Sequence, residues 1–291
     1  MAHEDAGPSP AVVRKEDEVV VTPVRTRDLK EKKRRGEKIA MLTAYDANMA
    51  RLLDRAGVDA LLVGDSIGMV MLGYKNTVPV TLEAMIHHTA AVARGTERAL
   101  VVADMPFLTY QVTVADAVRN AGRLLQEGGA AAVKLEGGRA IIDVVKRLVD
   151  VGVPVMGHLG LLPQSVHQAG GFVRQATNPR DADALLVDAL ALEEAGAFSI
   201  VLEAIPSDVA RTVTTELTIP TIGIGAGPDC DGQVLVSHDM LGLFDGHVPS
   251  FVKQYARLNE TVVAAAQAYV EDVTAGRYAR PAATVADVPT A

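Results

Sequence analysis

The chain has almost no cysteine: Cys230 stands alone among 291 residues. A disulfide within the chain is therefore excluded, and a reducing compartment is the expectation. Long apolar runs are missing too. None approaches the roughly 18 residues that a membrane span needs. The opening MAHEDAGPSPAVV lacks an apolar core of signal-peptide length, so cytoplasmic residence is expected. Basic charge is scarce, with 28 Lys and Arg against 36 Asp and Glu for a net charge of −8. Nucleic acid and membranes are accordingly not expected partners, and small-molecule substrates are. No His and Cys residues fall at zinc-binding spacing. A dinucleotide loop is lacking as well: GIGAGPD (223–229) offers Gly223, Gly225 and Gly227, but Pro228 stands where a third glycine is needed.

What the chain does have is 49% hydrophobic residues, arranged in a repeating unit. A short apolar run leads to a polar residue or glycine, and an amphipathic helix returns to the next run. The runs are IAMLTA (39–44), ALLVG (60–64), ALVVA (99–103), AAVKLE (131–136), VPVMGH (153–158), FSIVLE (198–203) and IPTIGIG (219–225). Unbroken apolar strands alternating with helices imply parallel pairing with both faces covered. Glycines at 57, 128/129 and 196 mark helix stops. Seven units running one way predict an α/β fold of the (βα)8 TIM-barrel class. The eighth strand is expected between about 240 and 256, and the helix at 259–273 either closes the barrel or packs on a neighbouring subunit. The reading gives one barrel domain over 26–275, a flexible N-terminal arm over 1–25 and a C-terminal tail over 276–291. The basic run LKEKKRRGEK (29–38) reads as a solvated helix face.

Four strands lead to an acid: Asp65, Asp104, Glu136 and Glu203. In a parallel barrel all strand C-termini meet at one mouth, where active sites form. Each acid alone could cap the following helix, as Asp46 in TAYDANMARLL is expected to do. Glu is a poor N-cap, however, and four acids at one rim repel one another unless a cation or shared proton lies among them. Oxygen-only donors point to Mg2+. Lys134 precedes Glu136 by two residues and shares its strand face, so it meets either the acids or an anionic substrate. His158 ends its own strand as a possible supporting residue behind the ligands. The loop from Ser66 to Thr77 either covers the mouth or is an ordinary connection, and Cys230 reads as an incidental thiol.

The stretches MLTAYDANMARLL, LLVGDSIGMVMLGYKNT, VVADMPF, AAVKLEGG, VMGHLGLLPQS, IVLEAIP and TIGIGAGPDCDGQVLVSHDMLG closely resemble the ketopantoate (3-methyl-2-oxobutanoate) hydroxymethyltransferases of pantothenate biosynthesis. The resemblance covers about residues 26–275. It implies a Mg2+-dependent transfer of a one-carbon unit from 5,10-methylenetetrahydrofolate to C3 of 3-methyl-2-oxobutanoate, giving 2-dehydropantoate. It also implies that Asp65, Asp104 and Glu136 hold the metal, that Asp65, Ser66, Asp104 and Lys134 contact the oxo acid, and that Glu203 is the catalytic base. Homo-oligomers, commonly decamers, are implied as well. Glu203 is expected in an apolar setting. The alternatives are a Mg2+-dependent C–C lyase or mutase of oxo acids on the same fold, and a barrel that binds a metal-chelated metabolite without turnover.

Overall fold

The computed structural model describes residues 22–278. Eight parallel strands close in sequence order. They are β1 (Ile39–Thr43), β2 (Ala60–Val63), β3 (Leu100–Asp104), β4 (Ala132–Glu136), β5 (Val155–Gly160), β6 (Ser199–Glu203), β7 (Thr221–Ile224) and β8 (Gly232–Leu235). The helices are α1 (Thr26–Arg35), α2 (Ala47–Arg55), α3 (Ile67–Val70), α4 (Leu82–Gly95), α5 (Val114–Gln126), α6 (Ile142–Asp150), α7 (Val166–Ala169), α8 (Pro179–Glu194), α9 (Ser207–Glu216), α10 (Ser237–Met240) and α11 (Leu258–Thr274). The expected (βα)8 barrel is what the chain forms. Strands β5 and β7 begin two residues later than their apolar runs, because Pro154 and Pro220 hold the strand entrances and cannot donate to the ladder.

Side-chain alternation sorts the core into two shells. Outward residues such as Leu61, Val63, Val101, Val133 and Leu135 pack under the helices. Inward residues Ile39, Met41, Ala60, Leu62, Leu100, Val102, Ala132, Met156, Val201, Ile222 and Val234 fill the barrel. Further along the same inward face, apolar side chains give way to Asp104, Lys134, Glu136 and His158, all buried. The barrel is thus greasy below and charged at its mouth.

The structure corrects two expectations, for the eighth strand and the basic run, and removes one of the two readings offered for the helix at 259–273. The eighth strand is β8 at Gly232–Leu235, not within 240–256. It follows β7 after a short loop with no helix between them, so the strand–helix rhythm breaks there. Residues 244–257 are largely loop instead. Helix α11 does not close the barrel, since none of its residues is buried. The basic run is also more than a solvated face. Helix α1 sends Leu29 into the barrel interior at 0% exposure. Lys32 and Lys33 pair with Asp59 (2.7 Å) and Asp231 (3.0 Å). Lys33 also donates to the carbonyls of Thr214 and Ile219, so α1 is stapled across the floor of the barrel. The proposed N-terminal arm and C-terminal tail lie outside the described residues, apart from 22–25 and 276–278.

Candidate active site

Strand register builds the site. Asp104 pairs with Lys134 across β3 and β4, Glu136 with His158 across β4 and β5, and Gly160 with Glu203 across β5 and β6. Neighbours in parallel register share a face, so Asp104 and Lys134 turn inward side by side, as do Glu136 and His158. Lys134 Nζ lies 2.9 Å from Asp104 Oδ1 and 3.2 Å from His158 Nδ1. His158 Nε2 lies 3.1 Å from Glu203 Oε2, within ion-pair reach although not aligned as a hydrogen bond. Its Nδ1 is 3.6 Å from Glu136 Oε1. Burial and the Lys134 charge work against protonation of the His158 imidazole, but Glu136 and Glu203 outweigh them and raise it above its ordinary value.

Asp65 follows the end of β2. Its backbone N–H donates to Asp104 Oδ2 at 3.0 Å, which ties the two acid-bearing turns together. Ser66 Oγ lies 2.8 Å from the Tyr45 hydroxyl. Gly64 is required beneath them, because a Cβ there would stand 2.7 Å from Ser66 Oγ. Asp46 caps α2 as expected, accepting from the N–H groups of Asn48 and Met49. All four strand-end acids, Ser66, Lys134 and His158 line one cavity of about 310 Å3. Residues Met69, Val70 and Thr77 of the loop after Ser66 also line it.

Burial, then the charges of Asp104 and Glu136, push the Asp65 carboxyl well above the usual carboxylate range. Burial raises Asp104 as well, against the opposing pull of Lys134. For Lys134 burial works against the charge, but Asp104, Glu136 and Asp65 outweigh it and hold the ammonium above its ordinary value. Acid and base therefore stabilise one another as a buried network. Asp104 Oδ1 faces the Lys134 ammonium, while Glu136 Oε1 is buried with no hydrogen-bond partner among the described residues. The donor set is one of hard oxygens, which fits Mg2+. Among the described residues no three Asp, Glu, His or Cys side chains are already drawn together at metal-holding separation. Lys134 stands between the acids.

Glu203 lines the cavity between its chain neighbour Ala204 and its register partner Ile224, with 18% of its side chain exposed. The chain turns sharply after it, with Ala204 at φ 49°, a left-handed conformation that non-glycine residues adopt at a cost. Cys230 is buried away from the cavity, and burial pushes its thiol up.

Sequence reasoning missed Gln164. Its Nε2 donates to Asp65 Oδ2 and to the Met105 carbonyl, each at 2.9 Å. Its Oε1 accepts from the Tyr110 hydroxyl (3.0 Å) and Gln111 Nε2 (3.1 Å), and its backbone N–H donates to Glu136 Oε2 at 3.0 Å. One buried amide thus orients two of the acids. The LLPQS segment after β5 was its only visible sign. Tyr45, Tyr110 and Asp239 were missed as well, since they sit on loops or a short helix that carry no periodicity.

The model of the family described as ketopantoate hydroxymethyltransferase matches residues 23–281. A curated 3-methyl-2-oxobutanoate hydroxymethyltransferase of Moorella thermoacetica is 60% identical over 246 residues, 84% of this chain and 91% of the relative. That of Syntrophus aciditrophicus is 58% identical over 84% of this chain and 90% of the relative. Among solved structures, phosphonopyruvate hydrolase in complex with oxalate and Mg2+ superposes with a TM-score of 0.60 at 12% identity, covering 91% of each chain. A 2,3-dimethylmalate lyase superposes at 0.56 with 18% identity, covering 91% of each. At such identities the likeness is one of fold.

Proposed function

The chain belongs to the ketopantoate hydroxymethyltransferase family, and from that premise we propose how its barrel mouth performs the reaction. It is a transferase that hydroxymethylates 3-methyl-2-oxobutanoate to ketopantoate, a step toward pantothenate. Asp65, Asp104 and Glu136 are the residues that would hold Mg2+. When bound, the ion polarises the 2-oxo group as a Lewis acid, worth several kcal/mol. The observation that supports this assignment is the convergence of Asp65, Asp104 and Glu136 on one cavity with Lys134 and Glu203, where Glu136 Oε1 is buried with no hydrogen-bond partner among the described residues.

The remaining work falls to the chain's own groups. The Lys134 ammonium and the Ser66 hydroxyl meet the oxo-acid oxygens. Glu203 removes the C3 proton, a contribution of about 10²–10⁴-fold for a placed base. His158, whose Nε2 lies 3.1 Å from Glu203 Oε2, is a positioning residue for that carboxylate. The resulting carbanion at C3 would bond to the methylene carbon of 5,10-methylenetetrahydrofolate as one C–N bond of that carbon breaks with its electrons going to nitrogen. The second C–N bond is then cleaved, a water supplies the hydroxyl, and tetrahydrofolate is released with ketopantoate. The apolar wall formed by Met69, Val70, Phe172 and Phe251 shields the C3 carbanion from protonation by bulk water before the C–C bond forms.

Among the described residues no helix is long and apolar enough to cross a membrane. We take the enzyme to act in the cytoplasm as a homo-oligomer, a decamer on the family pattern. The exposed Val262, Val263, Tyr269 and Val270 of α11 support association. The test of function is product analysis with purified protein: ketopantoate should form only when oxo acid, methylenetetrahydrofolate and Mg2+ are all present. Ketopantoate formed equally in EDTA would refute the metal assignment.

A further inference from the structure

The cavity has a second polar end, on the arc of the rim between β8 and β1, that the steps above leave unused. Asp239 on α10 lines the cavity, is 7% exposed, and its Oδ1 is buried with no hydrogen-bond partner. Among the described residues no counter-charge compensates it, and burial raises its carboxyl to about 6. An acid in that condition is costly unless a ligand supplies donors.

Its position is fixed by the scaffold. The Ser237 N–H donates to Thr43 Oγ1 at 2.9 Å, and the two hydroxyls lie 3.3 Å apart, so α10 is pinned to the end of β1. The Tyr45 ring packs on His238 with centroids 5.3 Å apart. Phe244 adjoins this end, its backbone N–H donating to the His238 carbonyl at 3.3 Å. Phe172, Phe244 and Phe251 all line the cavity, three of the five phenylalanines in the chain. Phe251 remains 44% exposed, and Gly225 makes room for it: a Cβ there would meet the ring at 2.9 Å. An anionic oxo acid is repelled from Asp239 and drawn to Lys134. A flat, uncharged ring with N–H donors on one edge is suited to the opposite preference.

We propose that Asp239 anchors the pterin ring of the folate co-substrate, its carboxylate accepting from the ring's N3–H and 2-amino group while Phe244 and Phe251 pack on the ring faces. Two parallel N–H donors against a carboxylate form the same bidentate fork that makes arginine–carboxylate pairs strong, and aromatic faces supply the stacking. This inference rests on the folate-dependent reading above. It assigns the two ligands to opposite ends of one cavity, the anion at Lys134 and the pterin at Asp239, so that they meet near Glu203.

Calorimetric titration tests it without turnover. Tetrahydrofolate is titrated into the wild type and into Asp239→Asn, and an analogue with methyl in place of the 2-amino group is titrated into the wild type. The variant should bind tetrahydrofolate about ten- to a hundredfold more weakly, the usual loss for a charged hydrogen-bonding partner. The analogue should show a loss of the same size on the wild type. Because the analogue needs only wild-type protein, a variant that fails to fold does not spoil the test. If the wild type binds no tetrahydrofolate, the folate reading falls and takes this inference with it. If tetrahydrofolate binds and the analogue binds equally tightly, the folate reading stands and Asp239 is not the anchor.

Discussion

Replacing Lys134 by methionine takes the ammonium out of the acids at the mouth and leaves a side chain of similar length. Lys134 is 5% exposed, lies 2.9 Å from Asp104 Oδ1, and faces Asp65 and Glu136. Removing one partner of a buried ion pair strands the other charge, at a cost of about 3–5 kcal/mol. The control is Lys146→Met on the exposed face of α6, where a surface change stays within about 0.5 kcal/mol. Urea unfolding in EDTA should show the full loss for Lys134→Met. On the proposed assignment, a divalent cation held by the same acids would supply the missing charge. At a hundredfold excess over its dissociation constant, Mg2+ should therefore return about 2.7 kcal/mol. Two results would refute this reasoning. One is a loss below about 1 kcal/mol in EDTA, the behaviour of an exposed pair. The other is a variant whose unfolding midpoint Mg2+ does not move.

Other consequences can be checked with the same measurements. Gln164→Leu leaves Asp65, the Met105 carbonyl and Tyr110 short of a partner, so a loss of about 2–4 kcal/mol is expected from two or more stranded groups, together with reduced ketopantoate formation. Leu29→Ala opens a cavity in the barrel floor and should cost about 2–5 kcal/mol in urea unfolding with kcat unchanged. The Asp239 carboxyl, raised from 3.8 to about 6 by burial, opposes folding when ionised. The cost is absent below about pH 4, where both folded and unfolded chains carry the proton, and it grows as pH rises through 6. Asp239→Asn should thus gain about 1–2 kcal/mol at pH 8 and nothing at pH 4. A gain at pH 4 of equal size would show that packing, not charge, is responsible. Tyr45 and His238 are the titratable neighbours that a pH series must take into account.

Seven strands were legible because a parallel barrel buries both strand faces and so writes each strand as a continuous apolar run. The acids were legible because three of them are the last residues of β3, β4 and β6, and topology alone carries strand ends to one mouth. Strand β8 escaped notice because its four residues, Gly232–Leu235, are joined to β7 by a loop and not a helix. Lys32 and Lys33 looked like surface charge because the pattern of α1 does not reveal that Asp59 and Asp231, far along the chain, lie beneath them. Gln164 and Asp239 are single polar residues outside the strands, and their importance lies in hydrogen bonds, or in the want of them, that form only once the barrel closes.

The central claim is that the acids at the mouth hold a metal that acidifies C3 of the oxo acid while Glu203 takes the proton. Proton NMR of 3-methyl-2-oxobutanoate in D2O, with protein and Mg2+ but no folate, tests it most directly. The C3–H signal should fade with wild-type protein, and it should persist in EDTA or when Glu203→Gln replaces the wild type. A C3–H signal that the wild type leaves intact, or that Glu203→Gln erases just as fast, would contradict the account.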